Sequence, residues 1–143
     1  MLRVLLAGSL LVAALPISGA FADPGPLAAY QWKKRVLLIF GEEAEVAQQD
    51  GRFAEQQSQA NERDLVVLSI VGNLVADGVS RERLPTASAL RTRFRVDENA
   101  DLTVVLVGKD GGEKLRETEL IEPETVFDLI DSMPMRRSEM RDG

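Results

Sequence analysis

The chain has 143 residues and contains neither cysteine nor histidine. Without cysteine there is no disulfide, no thiolate nucleophile, no Cys-X-X-Cys redox pair and no thiolate-ligated zinc. Without histidine there is no Ser-His-Asp triad, no imidazole acid or base and no imidazole metal ligand. Positive charge is also scarce: 17 Lys and Arg stand against 23 Asp and Glu, a net charge of −6. That balance argues against nucleic-acid binding, which needs a basic footprint. With no disulfide available, a domain of this size must be stabilised by packing. A compact α/β core is therefore expected rather than a loop-rich scaffold.

What is present starts with an address. Met1-Leu2-Arg3 is a positive start, Val4 to Ile17 is apolar apart from Gly8, Ser9 and Pro16, and Ser18 to Ala22 places small residues at Ala20 and Ala22. This is the three-part pattern of a secretory signal peptide, expected to be cleaved after Ala22. The apolar run is shorter than the ~20 residues of a membrane span, and no cysteine follows for lipid attachment. The expectation is an exported protein, periplasmic or secreted, with no transmembrane anchor after cleavage. The domain map is then residues 1–22 as signal, 23–34 as leader, 35–139 as one domain and 140–143 as tail.

Along the remaining chain, residues 27–34 read as a short helical turn. Val36 to Phe40 is a continuous apolar run closed by Gly41, the pattern of a strand buried on both faces. Residues 42–60 are polar, with Val46, Phe53 and Ala60 spaced by seven, a narrow helical stripe in which Gly51 marks a possible break. Leu65 to Val71 reads as a second buried strand, and residues 72–85 fit no template. Residues 85–95 form a helix with Ala89, Leu90 and Phe94 inward. Leu102 to Val107 is a third strong strand. The turn Gly108-Lys109-Asp110-Gly111-Gly112 joins it antiparallel to an edge strand over residues 114–119. A last helix opens at Pro123 with Val126, Phe127, Ile130 and Met133 on one face, and Pro134 is read as its end. The order is β-α-β-α-β-β-α, and the first two strands should form a right-handed parallel unit.

Several segments carry a resemblance when read together: residues 32–40 from Trp32 through Phe40, Glu62-Arg63-Asp64, Leu90-Arg91 with Phe94, residues 107–116 around the GKDGG turn, and residues 130–139 with Met133-Pro134-Met135-Arg136-Arg137. Over about residues 27–139 the chain resembles the DUDES family, also called domain of unknown function 4174, whose animal members sit in matrix proteins such as Equarin and the sushi-repeat proteins. The resemblance implies a peroxiredoxin-like, thioredoxin-fold domain: a mixed four-stranded sheet with helices on both faces. A thioredoxin-type enzyme holds its nucleophilic cysteine just after the first strand, where the helix dipole lowers its pKa. Here that place is Gly41-Glu42-Glu43-Ala44, and Asn99-Ala100-Asp101-Leu102 lacks the proline such enzymes carry before the third strand.

Function is therefore expected to be non-catalytic binding without a cofactor, the partner being another exported protein or a small anionic ligand; the alternative is a peroxiredoxin-like enzyme. Glu42, Glu43 and Glu45 read as acids complementing a helix start. Asp97 to Asp101 opens like an EF-hand loop but has Leu102 and Gly108 where the loop needs Gly and Glu. Trp32 reads as a core plug. Cationic candidates for an anion or partner contact are Arg91, Arg95, Lys109, Arg136 and Arg137. Arg91 and Arg95 are i, i+4 neighbours, placed on one exposed helix face in a stretch that also holds Arg81, Arg83 and Arg93.

Overall fold

A computed structural model describes residues 25–77 and 84–143. The signal pattern, its cleavage site, Arg81 and Arg83 lie outside the described residues. Among the described residues ten helices and strands follow a 3-10 turn at Gly25–Leu27: β1 Arg35–Phe40, α1 Glu43–Ala54, α2 Gln57–Glu62, β2 Leu65–Val71, β3 Leu74–Ala76, α3 Ala87–Phe94, β4 Thr103–Val107, β5 Glu113–Glu117, α4 Pro123–Asp131 and α5 Pro134–Asp142.

The strands form one mixed sheet in the order β3-β2-β1-β4-β5. β1 runs parallel to β2 and antiparallel to β4, and the β4–β5 pair is the antiparallel hairpin expected across the glycine turn. The two continuous apolar runs are the buried strands: every residue of β1 and β4 is buried. Their side chains alternate between two cores. Val36, Leu38 and Phe40 face one side, with Val105, Leu90 and Phe94. Leu37 and Ile39 face the other, with Phe53, Leu106 and Ile130. α3 covers the first face, and α1, α2 and α4 cover the second, so helices do flank both faces.

Five expectations need correction. α3 turns Ala87 inward beside Leu90 and Phe94 and leaves Ala89 exposed. The sheet has five strands, not four, because Leu74–Ala76 pairs with the end of β2 as a short edge; its three apolar residues are too few to set a period, and their side chains are exposed or half-exposed. β2 is buried only at Leu65, Leu68 and Ile70, since an edge neighbour covers it incompletely. The polar helix breaks at residues 55–56 rather than at Gly51, where an added Cβ would meet nothing within 4 Å. Pro134 does not end helical structure. It occupies the first turn of α5, where its missing N–H has no partner to lose and its fixed φ suits the helix.

Candidate functional site

The sequence candidates separate into three places. The first is a network of charges under α5. Arg35, the opening residue of β1, is 1% exposed. It donates from Nη1 to the Arg63 carbonyl at 2.8 Å and grips the Glu139 carboxylate with Nη1 at 3.2 Å and Nη2 at 3.3 Å. Lys109, on the hairpin turn, donates to Glu139 Oε1 at 2.6 Å and to Asp64 Oδ2 at 2.9 Å. Arg136 is buried and donates from Nε to Asp131 Oδ1 at 3.1 Å and from Nη2 to Glu62 Oε1 at 3.2 Å. Arg63 closes on the same Asp131 at 2.8 Å while its guanidinium lies 4.8 Å from the centre of the Phe127 ring.

The carboxylates record this surrounding. Burial pushes the Asp64 carboxyl up, but Lys109 and Lys34 together hold it below its ordinary range. Asp131 is pushed up by burial and held lower by Arg63 and Arg136; Glu139 is treated likewise by Lys109 and Arg35. Arg136 is shifted down by burial, and Asp131 and Glu62 more than reverse the shift. Lys109 and Arg136 are thus not solvated contacts: their donors already face carboxylates of this chain. The segments 32–40, 62–64, 107–116 and 130–139 that carry the family resemblance all meet in this network. Arg137, by contrast, is exposed on α5, with no ion pair among the described residues.

The second place is the far end of β1. Gly41 has φ 153°, a conformation that disfavours a side chain, and an added Cβ would approach the Leu102 Cα to 3.2 Å. α1 then starts at Glu43, with Glu42, Glu43 and Glu45 all exposed. No buried group or cation among the described residues makes ion pairs with these acids, which fits their reading as a solvated helix start.

The third place surrounds α3. Thr86 caps this helix, its hydroxyl accepting from the Ala89 N–H at 3.1 Å. Arg91 does not share an exposed face with Arg95. It is 8% exposed, lies 5.6 Å from the Phe40 ring centre and donates to the carbonyls of Asp97 (3.2 Å) and Gly72 (3.3 Å). The long apolar stem lets an arginine lie inward while its head reaches main-chain acceptors. Arg95 is the exposed one. It ends α3 in the left-handed conformation, φ 56° and ψ 51°. With Arg93, Phe94, Gly111, Gly112, Glu113 and Arg116 it lines an open groove of about 630 Å³ between α3 and the hairpin.

Arg116 is the residue that sequence reading missed. The signal was available in the hairpin register. Leu115 packs on the core beneath α1 and α4, so alternation places its neighbour Arg116, opposite Val105, on the α3 face. It donates to the Phe94 carbonyl at 2.6 Å and pairs with Glu113 at 2.6 Å. Trp32 is likewise not a core plug: it is 47% exposed and has φ 67°.

Among the described residues no helix is long and apolar enough to cross a membrane, and no three acidic side chains converge as a metal would require. A search of curated proteins finds no match for this chain. The family model of a domain of unknown function, DUF4174, matches residues 26–139. The match runs from before β1 into α5 and takes in every part of the buried charge network, and the chain belongs to that family.

Proposed function

We propose that this protein is an exported, non-catalytic binding module on a thioredoxin-like scaffold. The strand order β2-β1-β4-β5, with β1 parallel to β2 and the remaining pairs antiparallel, supports the scaffold; β3 would be an added edge. The observation that carries the functional reading is the turn after β1. A thioredoxin-type enzyme needs a low-pKa thiolate at that helix start. This chain has exposed Glu42 and Glu43 there and no cysteine at any position. A carboxylate at that point cannot exchange with a disulfide, and no imidazole is available to activate another nucleophile. The peroxiredoxin-like alternative thereby loses its chemistry. Export is supported by the charged start, the apolar stretch and the small residues at Ala20 and Ala22.

The test uses protein secreted by its own signal, whose N-terminus should read Asp23-Pro24. This material should not accelerate insulin reduction by dithiothreitol, nor consume hydrogen peroxide with a thiol donor, beyond the protein-free rate. Turnover that follows the purified protein through a sizing column would overturn the non-catalytic reading. An N-terminus at Met1 would remove export.

A further inference from the structure

We propose that the groove between the end of α3 and the β4–β5 hairpin binds a small multivalent oxyanion, phosphorylated or polycarboxylic, with Arg95 as its principal contact. The inference deepens the reading of the protein as a binding module and rests on it.

The charge of the groove runs against that of the molecule. Arg93, Arg95 and Arg116 line it with Glu113 as the one acid, while the whole chain has a net charge of −6. Its volume, about 630 Å³, lies in the range of ligand clefts.

The internal uses of these arginines leave Arg95 over. A C-terminal arginine ordinarily serves the last carbonyls of its own helix. Here that work is done by others. The Phe94 carbonyl accepts from Arg116 Nη2, and the Arg91 carbonyl accepts from the main-chain N–H groups of Arg95 and Val96. Among the described residues the Arg95 side chain makes no hydrogen bond, ion pair or ring contact, although Asp97 and Glu98 follow closely in sequence. Its main chain is held in a left-handed conformation that a non-glycine residue seldom adopts. Arg116 uses Nε and Nη2 internally, and its Nη1 has no hydrogen-bond partner among the described residues.

The floor is also prepared. Gly111, at φ 85°, and Gly112 bring main chain without side chains to the groove. The turn is fixed because the Gly112 N–H donates to Asp110 Oδ1 at 2.9 Å, and Lys114 holds the other oxygen of that carboxylate at 2.9 Å. The Arg116–Phe94 bond ties hairpin to helix, so the two walls keep their spacing. A planar guanidinium on such a frame suits paired oxygens of phosphate or carboxylate.

Calorimetric titration of the purified full-length protein with pyrophosphate and, separately, with citrate tests this. At low ionic strength at least one probe should bind with one site. Arg95→Glu should weaken it about tenfold or more, while Arg137→Glu, an exposed cation away from the groove, should leave it unchanged. Arg95→Lys should give intermediate affinity. Binding to pyrophosphate alone would assign phosphorylated ligands, to citrate alone polycarboxylates, and to both the shared oxyanion chemistry. Binding by neither, or equal binding by Arg95→Glu with an unchanged circular dichroism spectrum, would overturn the groove. That outcome leaves the non-catalytic reading standing, whereas turnover of insulin or peroxide would remove that reading without touching an oxyanion isotherm.

Discussion

At the residue scale, the decisive side chains are buried arginines, and sequence patterning treats arginine as exposed by default. Arg35 sits at the border of an apolar run and looks like the charge that ends it. Arg91 sits beside Leu90 and looks like the start of a solvated face. Both lie inward because each finds specific acceptors: a carboxylate and a carbonyl for Arg35, two carbonyls for Arg91. Apart from the nearby Asp97 carbonyl, those acceptors come from separate segments of the chain, and the sequence offers no way to pair them. Arg35→Met should lower unfolding free energy in urea by about 2–4 kcal/mol, because the Arg63 carbonyl loses this donor and Glu139 is left with Lys109 as its close cation. The value is set below that of a fully enclosed pair, since the Glu139 side chain keeps 28% exposure. Arg35→Met with Glu139→Leu should recover part of the loss, because replacing both members removes a carboxylate that has lost one of its two close cations and keeps Lys109. A double variant no better than the single one would mean that the loss arises from the carbonyl contact instead.

At the scale of elements, β1, β4 and α4 were legible because each advertises itself by apolar residues: continuous runs in the strands, and Val126, Phe127 and Ile130 on one helical face. β3 and α5 were not. α5 buries Arg136 alone and docks by charge, which leaves no stripe to read. The groups facing it are Arg35 from β1, Glu62, Arg63 and Asp64 from the α2–β2 connection, Lys109 from the hairpin turn, and Asp131 from the end of α4. Asp64, Asp131 and Glu139 all titrate below their ordinary values once paired. A carboxyl depressed in the folded state stabilises above its unfolded pKa, about 4, and that contribution disappears as pH falls through the folded value. α5 should therefore lose amide protection below about pH 4 while the central strands keep theirs. Hydrogen exchange followed by mass spectrometry from pH 7 to pH 3, corrected for intrinsic rates, checks this. Simultaneous loss in α5 and β1 would show that the helix is held by something other than these pairs.

At the scale of the whole molecule, β1 makes the two cores one cooperative unit. Leu37 and Leu38 are adjacent, wholly buried and on opposite faces. Leu37→Ala and Leu38→Ala should each cost about 2–5 kcal/mol. In both variants Trp32 fluorescence and far-ultraviolet circular dichroism should report a single coincident transition, since neither face can melt and leave β1 in place. Two separated transitions in either variant would divide the faces into independent units. The same sheet has a border that matters in concentrated solution. β5 presents Glu113, Lys114, Arg116 and Glu117 along its five residues, all of them exposed. A strand from a neighbouring molecule could reach its free main-chain groups only by stripping water from charges of both signs. Crowding should therefore leave this side of the molecule unjoined, and any growth of sheet upon sheet would have to start from a different margin.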